Sequence, residues 1–403
     1  MNRGFWKAGH WPTLLAAFLY FDLSFMVWVV LGPLGVQIAQ DLGLDAAQKG
    51  LMVATPVLAG ALLRFPMGLL VDRTGPKTAG LIGQVIVIAA LLWAWYFGVK
   101  SYEKVLMLGV LLGAAGASFA VALPLASRWY PPEHQGTALG IAGAGNSGTV
   151  LAALLAPSLA AAYGWGNVFG LAVIPLVLVL VFYAVVAKDS PDCPPAKPLL
   201  EYLAVLRDRD AWWFMFFYCV TFGGFVGLAS SLTIYFHDQY GLSAVKAGYF
   251  TALCVFMGSM LRPAGGMLAD RIGGIRSLSF MYALAAACLA IVSIGLPRAW
   301  MALVVFATGM LAMGMGNGAV FQLVPQRFRR EIGVMTGLVG MAGGIGGFYL
   351  AYSLGYSKQL TGSYQAGLLA FAGLALVALV GLTLVKIRWR TTWGASTMTT
   401  ARI

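Results

Sequence analysis

LLRFPMGLLVDRTG (62–75) and MLRPAGGMLADRIG (260–273) are two copies of one segment. Leu, Arg, Gly, Leu, Asp, Arg and Gly recur between them at a constant offset of 198 residues. In each copy an Asp-Arg pair and a glycine close an apolar run. In each, an arginine lies eight residues before that aspartate, about 12 Å deeper at the helical rise of 1.5 Å per residue. The two halves of the chain are therefore related by duplication, the arrangement of membrane folds whose halves pack around a central site.

The rest of the chain supplies the membrane. Of 403 residues 10% are charged, against roughly 25% in an average soluble domain. The hydrophobic set makes up 60%, and 51 glycines raise the non-polar share further. A soluble fold of this size lacks the polar complement to cover so much apolar surface. The same numbers exclude disorder, collagen and a disulfide scaffold. Twelve stretches meet the roughly 20 apolar residues that a hydrocarbon core requires. They fall near 13–37, 50–71, 79–98, 105–127, 137–162, 165–187, 211–236, 247–269, 277–296, 299–325, 332–355 and 364–386. The longest polar segment, KDSPDCPPAKPLLEYLAVLRDRD (188–210), reads as a linker with a short surface helix. The expected fold is an all-α membrane protein of twelve transmembrane helices in two pseudo-symmetric six-helix bundles. Its N-terminal bundle is 1–187, its cytoplasmic linker 188–210 and its C-terminal bundle 211–403.

The net charge of +12 is a topology signal that needs no nucleic acid. With twelve spans, the termini and even-numbered loops hold 18 Lys and Arg residues and the opposite loops hold six, which places both termini in the cytoplasm. The first apolar stretch is too long for a signal peptide. Cys193, Cys219, Cys254 and Cys288 lie far apart and read as small packing residues. His10, His134 and His237 fall near loops and build neither a triad nor a metal cluster.

Two of the 26 cations remain, Arg64 and Arg262, both inside apolar spans. An arginine at mid-depth costs about 2.5–3.5 kcal/mol on insertion scales, so it faces a partner or a cavity. Asp22 is the acid at comparable depth. One reading pairs Arg64 with Asp22 and rests Arg262 on carbonyls. The other sets the two guanidinium groups across the interface between halves, where their forks bind an anion bidentately as a lysine could not.

GLLVDRTGPK (68–77) and its weaker copy GMLADRIGG (266–274) resemble the loop motif of the major facilitator superfamily. The glycine-rich GIAGAGNSGTV (140–150) and GLVGMAGGIGGF (337–348) resemble the paired signature segments of its nitrate/nitrite porter family. The resemblance covers essentially the whole chain. It implies that Arg64 and Arg262 clamp the substrate, that Phe119, Tyr218 and Phe222 wall it, and that Asn146 lies beside it. Gln322, in GNGAVFQ, lies in a segment similar to the family's tenth helix. Asp72, Arg73, Asp270 and Arg271 are expected to gate, bridging to neighbouring helices in one state and parting in another. GAGNSG (143–148) also fits a dinucleotide fingerprint, but no strand–turn–helix surrounds it. Its small residues instead allow close helix approach, and Asn146 is either interhelical glue or a ligand.

The implied activity is secondary active import of nitrate, and of nitrite, by alternating access in the inner membrane. No cofactor, metal or catalytic residue is expected, and a functional monomer surrounded by lipid suffices because one chain holds both halves. Nitric acid is strong, so a proton travelling with nitrate needs a protein group, and Asp22 is the candidate for proton-coupled symport. A nitrate/nitrite antiporter and a carrier of another small oxyanion are the alternatives. A membrane sensor would usually carry a soluble output domain, and a membrane enzyme would need a nucleophile, base or metal constellation.

Overall fold

The computed structural model describes residues 5–191, 203–328 and 331–393. Arg3, Cys193, Lys197, Arg329, Arg330 and Arg402, together with residues 192–202 of the linker, lie outside the described residues. Among the described residues, twelve helices are long and apolar enough to cross a membrane. They are α1 (Trp11–Trp28), α2 (Ala46–Thr74), α3 (Pro76–Phe97), α4 (Tyr102–Ser127), α5 (Thr137–Tyr163) and α6 (Trp165–Val186) in the first half. The second half holds α7 (Arg209–Tyr240), α8 (Ala244–Ile272), α9 (Gly274–Ser293), α10 (Ala299–Arg327), α11 (Ile332–Thr361) and α12 (Gln365–Thr391). The chain is a multi-pass membrane protein of two six-helix bundles. Lipid-facing helices such as α6 keep most of their apolar side chains outward, whereas α7 is buried along most of its length.

The first span departs from its expected 13–37. Helix α1 stops at Trp28, a turn runs through VLGPL (30–34), and a separate short helix occupies Gly35–Leu42. Pro33 lacks the amide hydrogen that would continue the ladder. Three more spans are interrupted at mid-depth. Helix α4 breaks at Ala117–Ser118, α8 breaks at Leu261 just before Pro263, and α5 tightens to a 3-10 turn over Ala144–Ser147. Irregular backbone at membrane depth is tolerated where protein or a cavity covers it, and Ser118 and Asn146, at two of the breaks, are fully buried.

The repeat is visible in the geometry. Gly75 and Gly273 end α2 and α8 with φ of +86° and +98°, a conformation open to glycine at little cost.

The two ends of the molecule differ. At the end opposite the termini, Lys49 of α2 forms an ion pair with Asp238 of α7 at 2.5 Å. Tyr364 donates its hydroxyl to the same carboxylate at 3.0 Å. Burial first, and then the Asp238 charge, push the Tyr364 phenol above its ordinary range, which keeps it a donor. Beside this pair, the Ala46 amide donates to Gln359 Oε1 at 3.1 Å, and Gly50 packs directly on Gly355. These contacts join one half to the other.

At the terminus-bearing end two carboxylates are bridged within their own halves. Asp72 takes Arg128 at 3.1 Å in the first half. Asp210 takes Arg327, Arg388 and the Trp389 indole in the second. Around Gly68, Gly140, Gly143, Gly333 and Gly337 no atom lies within 4 Å of where a Cβ would stand. Among the described residues, the halves are thus tied together at the far end and leave open space around these glycines at the end that carries the termini.

Candidate functional site

Arg64 sits in α2 and is 1% exposed. Its Nε donates to the Gly116 carbonyl at 3.1 Å. That carbonyl is free because the α4 ladder breaks there: the Ala120 amide bonds to Ala117 instead. The Nη1 group donates to the Gly340 carbonyl of α11, across the interface between halves. Three rings surround the guanidinium, those of Trp28, Phe119 and Phe222, at 5.4, 5.0 and 5.2 Å. Each such contact is worth about 0.5–2 kcal/mol when desolvated, which offsets the insertion cost of the charge. The remaining donor, Nη2, is buried without a protein partner.

Arg262 stands at the restart of α8 after its break. Its Nη2 donates to the Tyr218 hydroxyl at 3.4 Å, and its guanidinium lies over Phe321 at 5.6 Å. Its Nη1 is likewise buried without a partner. The side chain as a whole is only partly buried.

Aromatic contacts tie the two arginines into one cluster. Tyr218 stacks on Phe222 with centroids 5.1 Å apart and planes 6° from parallel. Phe321 meets Tyr218 edge-on at 5.1 Å and Phe119 at 6.2 Å. The signature glycines of α11 make room for this wall. A Cβ on Gly343 would come within 2.7 Å of Tyr218 and 2.9 Å of Phe222, and one on Gly340 within 3.2 Å of Arg64 and Phe119. Five of the sequence-derived residues, Arg64, Arg262, Phe119, Tyr218 and Phe222, therefore converge.

Asp22 does not pair with Arg64. It accepts the Ser147 hydroxyl at 2.6 Å, which ties α1 to α5 where the 3-10 turn gives way to the α-helical part of α5. Asn146 lies in that turn, fully buried, with both amide atoms unpartnered in the protein. Gln322 places its Oε1 beside Gly274 at the start of α9. Asp72 bridges to Arg128, while Arg73, Asp270 and Arg271 are exposed at their helix ends. Sequence reasoning missed Trp28, Phe321, Arg128 and the two accepting carbonyls. A carbonyl leaves no mark in a sequence, and one tryptophan of 12 or one phenylalanine of 23 carries little.

A pair of arginines meeting between two repeated six-helix bundles, whose halves are tied together at one end, is the arrangement of a membrane carrier for an anion. Residues 13–351 match the family described as Major Facilitator Superfamily. The chain is 35% identical over 367 residues to a probable nitrate/nitrite transporter of Mycobacterium tuberculosis, covering 88% of this chain and 91% of that one. It is 32% identical over 357 residues to the nitrite extrusion protein of Bacillus subtilis, covering 89% and 90%. It is 31% identical over 412 residues to a probable nitrate/nitrite antiporter of Thermus thermophilus, covering 94% and 91%. The chain belongs to the nitrate/nitrite porter family of the major facilitator superfamily. In fold it is similar to a bacterial homologue of the human lysosomal transporter Spinster, with a TM-score of 0.70 at 17% identity over 95% of this chain and 97% of that one.

Proposed function

We propose that this chain carries nitrate, and nitrite with it, across the inner membrane by alternating access between residues 1–187 and 211–403, joined by the linker 188–210. One observation carries the reading. Arg64 Nη2 and Arg262 Nη1 are buried guanidinium donors without a protein partner, facing a cluster walled by aromatic rings. Nitrate is flat, singly charged and weakly hydrated, so it suits donors in its plane and rings on its faces. Phe119, Tyr218 and Phe222 supply such faces. Relatives named for nitrate and nitrite support the same substrates.

The excess of Lys and Arg at the terminus-bearing end puts that end in the cytoplasm. The open end then faces inward, and the Lys49–Asp238 closure faces outward. Uptake requires that closure to part. Asn146, in the 3-10 turn of α5, is a ligand reached as the turn rearranges, since such turns mark hinges. Asp72, Arg73, Asp270 and Arg271 bias the opening at the cytoplasmic end. One chain, a monomer in lipid, contains everything this cycle needs.

Asp22 is the group assigned to the proton. It is 7% exposed and accepts the Ser147 hydroxyl, so adding a proton changes a contact at the α5 hinge itself. Exchange of nitrate for nitrite is a second reading, favoured by a different observation. With Asp22 bonded to Ser147, the cluster brings two cations together, and a carrier that moves only with an anion between them would be an antiporter. Labelled nitrate uptake into proteoliposomes, with and without internal nitrite and with and without an inward proton gradient, tests both. Uptake into empty vesicles that follows the gradient supports symport. Uptake that needs internal nitrite and ignores pH supports exchange, and no nitrate movement under any condition refutes the carrier reading.

A further inference from the structure

We propose that Asn317 is a direct ligand of the transported anion on the Arg262 side of the site, and that it favours a three-oxygen anion over a two-oxygen one. The inference rests on the nitrate reading above and deepens it.

Asn317 lies in α10 and is 1% exposed, yet both its Oδ1 and its Nδ2 are buried without a partner. An unpaired buried polar group costs about 1–3 kcal/mol. A lipid-facing or packing position would be filled more stably by an apolar residue, so the amide calls for a polar partner that is not part of the protein.

The repeat says where the amide stands. Gly60 of α2 packs against Gly116 of α4, and Gly258 of α8 packs against Gly314 of α10. The second crossing reproduces the first at the offset of 198 residues found in the arginine motif. Three residues beyond these crossings lie Phe119 and Asn317, again at that offset. Phe119 rests against the Arg64 guanidinium at 5.0 Å. Asn317 therefore holds, in the second half, the station from which Phe119 meets the arginine in the first.

A local observation agrees. Phe321, one turn further along α10, lies under Arg262 at 5.6 Å and edge-on to Tyr218. Residues four apart share a helix face, so Asn317 presents its amide on the face that meets the arginine cluster.

Nitrate has three oxygens at the corners of a plane. Arg64 Nη2 and Arg262 Nη1 account for two of them, and the Asn317 Nδ2–H group supplies a donor for the third. Nitrite has two oxygens and a nitrogen lone pair, so it gains nothing comparable from the third donor.

The test measures nitrate and nitrite binding to the purified full-length protein by titration calorimetry, for the wild type, Asn317→Ala and Asn317→Ser. The expected result is that nitrate Kd rises roughly tenfold, as for loss of one hydrogen bond to an anion, while nitrite Kd changes less than about twofold. Serine is too short to reach the anion and packs a polar group in the same place, so it reports the same comparison should the alanine variant fold poorly. Equal losses for both anions, or no loss for either, overturn the inference while leaving the carrier reading intact. A wild type that binds neither anion overturns the nitrate reading and this inference with it.

Discussion

Replacing Arg64 with lysine keeps the charge and removes the fork, which makes it the sharpest probe of the site. Arg64 uses three separate nitrogens: Nε on Gly116 at 3.1 Å, Nη1 on Gly340, and Nη2 left over for a ligand. The two carbonyls belong to α4 and α11, in opposite halves. A lysine ammonium is a single point on a stem without a guanidinium plane, so it serves one of these directions at a time. If it holds a carbonyl it forfeits the anion, and if it turns to the anion it leaves the carbonyls unpaired. A hydrogen bond to a charged group is worth about 1.5–3 kcal/mol. Losing one of these and recovering part through the retained charge leaves a deficit of about 2 kcal/mol, or roughly 30-fold in Kd. The assay is nitrate titration of the purified Arg64→Lys protein, with its elution profile and unliganded melting temperature checked against the wild type. Nitrate binding within threefold of the wild type in a well-folded variant would refute the reasoning, because a point charge would then suffice and the fork geometry would be incidental.

Asp238→Asn removes the partner of Lys49 and weakens the acceptor for Tyr364. The pair is partly exposed, so its loss shifts the open–closed balance of that end by only about 1 kcal/mol, roughly fivefold. Distances between spin labels at Ala47 and Leu360 should broaden to longer values, and Lys49→Asp combined with Asp238→Lys should restore them; an unchanged distribution in the single variant argues against this closure. Asp22→Asn should retain nitrate/nitrite exchange and abolish uptake driven by a proton gradient, and undiminished pH-driven uptake in that variant removes Asp22 from the coupling. Gly343→Ala places a Cβ 2.7 Å from Tyr218, and the overpacking, about 1–3 kcal/mol, should weaken nitrate binding about tenfold. Gly337→Ala, with no atom within 4 Å of its Cβ, is the matched control and should bind as the wild type does.

The helices and the duplication were legible because a bilayer demands length and apolarity, and both are read directly from composition. Breaks inside the spans were not. Ala117–Ser118, Leu261 and the turn after Trp28 are interruptions in apolar or small-residue sequence, where hydropathy has nothing to register; only Pro33 and Pro263 offered a hint. Arg64 and Arg262 announced themselves because a charge at depth is costly. Their partners did not, since Gly116 and Gly340 contribute only backbone oxygens.

Asp22 shows why depth is insufficient to assign a pair. Phe21, Phe25 and Trp28 share one stripe of α1, with Phe21 5.9 Å from Phe119, Phe25 6.5 Å from Phe222 and Trp28 beside Arg64. Asp22 is one residue on, a rotation of about 100° at 3.6 residues per turn, which carries it to Ser147 of α5 instead. The two arginines differ for a related reason. Helix α2 stays continuous through Arg64 despite Pro66, whereas α8 breaks immediately before Arg262 and Pro263. The continuous helix holds Arg64 fast between Gly116 and Gly340, a link that spans both halves. The broken one leaves Arg262 on Tyr218 of its own half, partly exposed. A duplicated residue thus has two environments in one conformation, and the halves are free to differ in how tightly each holds its share of an anion.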